Sequence, residues 1–180
     1  MQFPNSAYSG YSSLIATAYQ LLELAEECYG KSVKPVKMSV EEWESDHPET
    51  FFDLSFTHAT IKIQKVQKGD ENQRRYQLAQ EVIQCLSPVP PDELTFLEKG
   101  LAQVFAHCPK VSVGIEGTKN IKYAEARDLC ESLMKNCGKD IVRRLREREP
   151  YIPRIKPDLI IEFCPNFPSE LAKSLCKRWD

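Results

Sequence analysis

The run Ser87-Pro88-Val89-Pro90-Pro91 divides the chain near its middle. Proline fixes φ and lacks an amide hydrogen, so this run neither continues a helix nor enters the interior of a sheet. The clearest strand-like patterns come before it, and the sequence after it is almost purely helical in period. This order predicts an α+β fold with an N-terminal helix, a short mixed sheet with an edge strand, and a helical C-terminal half. We expect one domain over residues 1–180, with parts 1–91 and 92–180.

Apolar spacing predicts the elements on both sides of the proline run. Before it we expect a helix over 6–29, an edge strand over 33–40, a short helical turn over 41–49, a strand over 51–66 and a helix over 72–86. After it we expect helices over 93–107, 121–136, 139–149 and 169–179, with a short extended segment over 111–115. Gly30 and Gly138 are the predicted stops, and Asp92 and Ser169 the predicted caps. In the strand over 51–66, Ala59, Ile61 and Ile63 share one face.

Composition is that of a soluble globular chain. Of the 180 residues, 42% are hydrophobic and 28% are charged, and the formal net charge is −2. This excludes a disordered chain, and the absence of a global basic excess disfavours nucleic acid as a partner. No basic region precedes an apolar run at the start, which argues against a signal peptide and a membrane span and predicts a cytoplasmic protein.

The seven cysteines are odd in number, and no two have C-x-x-C spacing. In a chain predicted to be cytoplasmic, this pattern indicates reduced thiols that mostly fill the core.

Two neighbouring helices carry the residues with chemical potential. On a helical wheel, Gln77, Gln80, Glu81 and Gln84 form one polar stripe, which by itself is typical of an amphipathic helix with a solvated face. On the next helix, Glu98 lies at the margin of the apolar face, opposite Lys99 and Gln103. A carboxylate there needs a partner, a metal or a cavity, because unpaired burial is costly.

The segment Tyr76–Leu86, YQLAQEVIQCL, resembles the active-site helix L-A-H-E-x-x-H-x-L of zincin metallopeptidases, with Gln80 and Gln84 in place of both histidines. Phe96–Ala102, FLEKGLA, resembles the gluzincin segment that supplies a glutamate ligand, here Glu98. The resemblance covers about residues 51–107. It also implies that the strand over 59–66 is the edge strand above the substrate cleft.

What the resemblance implies is a site without its metal. Zincin zinc is held by two imidazoles and a carboxylate, whereas a glutamine offers only a neutral amide oxygen, a poor zinc donor. Zinc is therefore predicted absent, and Glu81 becomes a vestigial general base. Gln80, Gln84 and Glu98, with His58 at the start of the preceding strand, are the predicted binding residues.

The interpretation we favour is a catalytically inactive metallopeptidase-like protein, a pseudoenzyme. It would bind a peptide or protein partner in the cleft or along the edge strand, where β-addition is the natural mode. The sequence specifies no oligomeric state.

Two alternatives stay open. One is an active metal-dependent hydrolase with unusual ligands around Glu81 and Glu98. The other is a helical regulatory or nucleic-acid-associated protein that acts through the basic helix 139–148, whose segment carries a local charge of +3. In that helix Ile141, Val142 and Leu145 are the predicted apolar anchor, and the arginines spread around the other faces.

Overall fold

The computed structural model describes residues 8–45, 47–67, 70–113, 115 and 120–179, with residues 8–12 as backbone. In this part of the chain the fold is α+β, as predicted. The sheet strands are β1 (Lys37–Trp43), β2 (Glu49–Phe52) and β3 (His58–Gln64). The α-helices are α1 (Tyr8–Tyr29), α2 (Glu71–Val82), α3 (Phe96–Ala106), α4 (Ile121–Cys137), α5 (Ile141–Arg148), α6 (Pro157–Phe163) and α7 (Ser169–Leu175). Short 3₁₀ helices cover Ile83–Leu86, Pro91–Glu93 and Ile152–Arg154.

The three strands are ordered β1-β3-β2, with β1 parallel and β2 antiparallel to β3. The strand predicted to be the edge above the cleft, 59–66, is therefore the central one, and β2 is the edge strand on that side. The strand predicted over 51–66 is a hairpin formed by β2 and β3. Asp53 stabilises the turn between them by accepting hydrogen bonds from the amides of Thr57 and His58. The turn predicted over 41–49 is also wrong, since β1 continues to Trp43.

The inner face of the sheet packs on α1 and α2. Ala59, Ile61 and Ile63 on β3 are completely buried there, as their alternation predicts. Met38 and Val40 on β1 join the same core. The sheet thus holds α2 directly beneath β3, so that residues near the end of β3 and along β2 face the polar side of α2.

The predicted helix over 72–86 changes its winding before it ends. It is α-helical to Val82 and then 3₁₀ over Ile83–Leu86. The next helix starts later than expected, because Pro91–Glu93 form a separate 3₁₀ turn and Thr95, not Asp92, is the N-cap. These two corrections shift the positions of Gln84 and Glu98 relative to the rest of the candidate site.

The C-terminal half is helical, with Gly138 directly after α4, as predicted. Residues 111–113 and 115 form no strand, and no side-chain cap precedes α7, which follows Pro168. The prediction of reduced cysteines is wrong for two of the seven, because Cys137 at the end of α4 and Cys164 after α6 are joined in a disulfide. The helix packing brings their Cα atoms to 5.6 Å, and no sequence spacing reports such a contact.

The basic helix α5 is anchored by Ile141, Val142 and Leu145, as predicted. Arg146, expected on another face, is instead buried. Its guanidinium donates five hydrogen bonds to backbone carbonyls, those of Tyr29, Gly30, Lys31, Leu86 and Pro150. These hydrogen bonds connect α5 to the end of α1 and to the 3₁₀ turn that follows α2.

Within the described residues, we find no helix whose length and apolar character together would allow it to cross a bilayer.

Candidate functional site: a cleft beneath the edge strand

A polar cleft opens between β2, α2, α3 and the start of α4. It consists of two adjoining cavities, of about 370 Å³ and about 340 Å³. We call the first the amide half, because five glutamines contribute to its wall: Gln64, Gln73, Gln77, Gln80 and Gln103. We call the second the strand half, because the whole of β2 lines it. Five residues line both halves and mark the middle of the cleft: His47, Pro48, Glu81, Lys99 and Tyr123.

Glu81 is the buried acid of this cleft, with 5% of its surface exposed. Its Oε2 accepts hydrogen bonds from Thr50 Oγ1 on β2 at 2.8 Å and from Gln84 Nε2 at 2.7 Å. The first bond joins the edge strand to α2. The second is possible because the 3₁₀ winding after Val82 places residues three apart on the same side. Both donors are neutral, so Glu81 is held as a hydrogen-bond acceptor.

The stripe expected to be a solvated face is largely buried. Gln77 is 2% exposed. Its side-chain amide forms two hydrogen bonds with the backbone of Gln64, as a neighbouring strand would: Oε1 accepts from the Gln64 N–H at 2.6 Å, and Nε2 donates to the Gln64 carbonyl. Gln80 is partly exposed on the amide half. Burial raises the pKa of Tyr76 beside it, an effect that a hydrogen bond to Gln80 partly offsets.

Glu98 is enclosed beneath the cleft. It is completely buried, and neither of its carboxyl oxygens has a hydrogen-bond partner among the described residues. Burial raises the pKa of Glu98 to about 8, and the charge of Glu81 adds to this, while Lys99 and Arg146 act in the opposite direction. Glu98 is therefore a neutral acid over most of the pH range below 8. It lines neither half of the cleft.

The structure thus joins some of the predicted site residues and separates others. Glu81 and Gln84 are hydrogen-bonded, and Gln80 lies on the same cleft. Glu98 is closed off from it. His58 is exposed at the opposite end of β3 from Gln64, beside the Asp53 turn, and lines neither half of the cleft.

The residues present do not fit the zinc that the zincin resemblance implies. Gln84 lies in the 3₁₀ turn, not one α-helical turn above Gln80, and uses its amide nitrogen on Glu81. Glu98 lines neither half of the cleft. Across the described residues, no three histidine, cysteine, aspartate or glutamate side chains cluster as metal ligands do. We therefore derive no chemical step through a metal.

The sequence analysis did not predict several of the residues that line the cleft. Thr50 lies between the turn predicted over 41–49 and the strand predicted over 51–66, yet its hydroxyl donates a hydrogen bond to Glu81. Gln103 was expected on the solvated side of α3, but it is buried and accepts a hydrogen bond from the Tyr76 hydroxyl at 3.2 Å. Lys99 and Tyr123 had no signal of their own. The only available clue was that Lys99 and Gln103 share the side of α3 opposite the apolar face.

Comparisons with known proteins supply no relative: no family model matches the chain, and no curated protein or solved structure matches it. Function must therefore be inferred from the cleft itself.

Proposed function

We propose that this protein is a catalytically inactive, metallopeptidase-like protein that binds an extended segment of a partner polypeptide. The segment would add to the outer edge of β2, which pairs with no other strand among the described residues, and lie over the cleft. The observation that carries the proposal is the orientation of the β2 backbone above a polar cleft whose central acid is already engaged.

The backbone pattern of β2 follows from its pairing with β3. The Asp53 amide donates to the His58 carbonyl at 3.0 Å, which makes this a hydrogen-bonded pair of the antiparallel ladder. Such pairs alternate with pairs whose N–H and C=O groups point away from the partner strand. In the observed register Thr50 pairs with Ile61 and Phe52 with Ala59, so both belong to the second kind. Their backbone groups point to the open edge.

An extended peptide could satisfy these groups by forming its own ladder with β2. Unpaired strand edges are prone to such addition, and main-chain hydrogen bonds supply affinity independent of the peptide sequence. The side chain of Thr50 points to the cleft and is fixed by its bond to Glu81. The edge strand is therefore held in place over the cleft before any partner binds, which reduces the ordering cost of binding.

The state of Glu81 supports binding without hydrolysis. A general base must reach the water or hydroxyl that it deprotonates, and a metal is what makes that water acidic in zincins. Here one carboxylate oxygen of Glu81 is occupied by Thr50 and Gln84, and amides stand where the resemblance calls for imidazoles. The side chains that would activate water are thus replaced by ones that donate and accept hydrogen bonds.

The test begins with a random peptide library displayed on phage, selected against the purified protein. We expect a selected peptide to shift the backbone amide resonances of Thr50 and Phe52 in the NMR spectrum of the ¹⁵N-labelled protein. Phe52→Pro should weaken binding by about tenfold or more, because it removes an outward N–H that the β3 ladder does not use. Phe52→Ala, which also loses the Phe52 ring but keeps the outward N–H, is the matched control and should bind clearly more tightly than Phe52→Pro.

Measurements on the wild-type protein alone can contradict the proposed function. If selected peptides perturb residues elsewhere and leave Thr50 and Phe52 unchanged, the proposed binding mode is wrong. If the purified protein contains stoichiometric zinc that is lost in Glu98→Ala, or cleaves the bound peptide, the inactive assignment is wrong and the hydrolase alternative stands.

A further inference from the structure

A lysine that forms no ion pair with any other described residue lies in the middle of the cleft. Lys99 is partly buried and lines both halves. Among the described residues no carboxylate forms an ion pair with it. Two carboxylates line the same cleft, but neither forms an ion pair with Lys99: Glu81 accepts hydrogen bonds from Thr50 and Gln84, and Glu49 contacts His47 at 2.8 Å.

Lys99 is therefore placed to bind a charged group of a ligand, and it does not stabilise the fold through an ion pair of its own. A partly desolvated ammonium with no counter-ion gains a charge-assisted hydrogen bond when a carboxylate arrives, and the site is then electrically complementary to its ligand. The surrounding amides and the hydroxyl of Tyr123 are neutral, so they supply hydrogen bonds but no counter-charge. Glu81 and Glu49 disfavour a ligand acid elsewhere in the cleft, so a ligand carboxylate is favoured only where it reaches Lys99 itself.

We propose that the polypeptide segment bound on β2 carries an aspartate or glutamate side chain that pairs with Lys99. This inference rests on the proposed function and adds the chemical class that the cleft selects. An internal acidic side chain fits better than a terminal carboxylate, because Lys99 lies where the two halves join and the cleft continues on both sides of it. A chain end would leave one half of the cleft empty.

Strand geometry restricts where the acid stands in the segment. Successive side chains of an added strand alternate between the two faces, and the cleft lies on the face to which Thr50 points. The acid must therefore occupy a position facing the cleft floor, and its immediate neighbours must point away from it. Selected sequences should show a fixed acidic position flanked by positions with little charge preference.

The experiment is a charge exchange. The phage library is selected in parallel against the wild type and against Lys99→Glu, with peptides presented as internal segments in one arm and with free C-termini in another. We expect the wild type to enrich one acidic position in both arms, and Lys99→Glu to enrich lysine or arginine there. In a synthetic wild-type ligand, replacing this acid by its amide should weaken binding about tenfold, and added salt should reduce the difference. Lys135→Glu, an equal charge change at an exposed site on α4, should select like the wild type.

The outcomes separate the two proposals. Peptides that shift Thr50 and Phe52 but show no acidic position, with the same preference for Lys99→Glu, overturn the role of Lys99 and leave strand addition intact. Enrichment only in the arm with free C-termini overturns the acidic side chain in favour of a terminal carboxylate. Peptides that fail to perturb β2 overturn strand addition itself, and this inference with it.

Discussion

Glu98 places a carboxyl group in the interior of the protein, where burial raises its pKa to about 8. In the unfolded chain the same group ionises near pH 4.5. Between these values the unfolded state loses a proton that the folded state retains, so the free energy of unfolding falls as pH rises through this window. Below it both states are protonated, and the cost disappears.

Glu98→Gln tests this linkage, because an amide resembles the neutral acid and never ionises. We expect the variant to be more stable than the wild type by roughly 4 kcal/mol at pH 8 and by only about 1 kcal/mol at pH 5. Urea denaturation at intervals across this range measures the difference. Glu125→Gln, at an exposed site on α4, should follow the wild-type profile, and a constant offset between Glu98→Gln and the wild type would refute the pKa.

At the level of elements, α3 and α4 make the largest helix contact of the structure, and Gly100 is what permits it. A β-carbon added to Gly100 would lie 2.8 Å from the Ala126 carbonyl carbon and 3.0 Å from Cys130 Cβ, and it would collide with the Ala126 oxygen. The helices can therefore approach this closely only with glycine at the crossing. This contact also sets Lys99, on α3, opposite Tyr123, on α4.

Gly100→Ala should consequently destabilise the protein by roughly 1–3 kcal/mol, because the obstacle is backbone and cannot rotate away. The sign is diagnostic, since the same change in an unconstrained helix interior stabilises by about 1 kcal/mol. Thermal unfolding followed by circular dichroism gives the answer. A higher midpoint in Gly100→Ala would show that the two helices are not packed as described.

At the level of the whole molecule, a disulfide and a backbone hydrogen bond connect parts of the C-terminal half that are distant in sequence. The disulfide Cys137–Cys164 spans 27 residues and links α4 to the end of α6. The last described residues pair with the segment before α3, where the Trp179 amide donates to the Leu94 carbonyl at 2.8 Å. The ring centroids of Trp179 and Tyr123 are 4.8 Å apart, so the C-terminal segment packs against a residue that lines the cleft.

Reduction should therefore lower stability. For a loop of this length the chain-entropy estimate is roughly 3.5 kcal/mol. Under denaturing, non-reducing conditions thiol titration should find five free cysteines, and seven after reduction. The double variant Cys137→Ser/Cys164→Ser should be insensitive to reductant. Seven free thiols without reductant would contradict the disulfide.

Features that depend on local pattern could be predicted from the amino-acid sequence. The periods of α1, α2 and α4, the alternation of Ala59, Ile61 and Ile63, and the stops at Gly30 and Gly138 all follow from interactions between near neighbours in the chain. The polar stripe of α2 and the position of Glu98 at the margin of an apolar face were also visible there. These patterns suffice for the α+β class and for the choice of α2 and α3 as candidate elements.

Which of these residues come into contact depends on how distant elements pack together. Strand order depends on pairing between distant segments, so β2 took the edge that the sequence assigned to residues 59–66. The 3₁₀ winding after Val82 turned Gln84 towards Glu81, and packing enclosed Glu98 while leaving Lys99 in the cleft. Spacing along a chain fixes the direction of a side chain on its own helix, but the surface it faces is supplied by other elements.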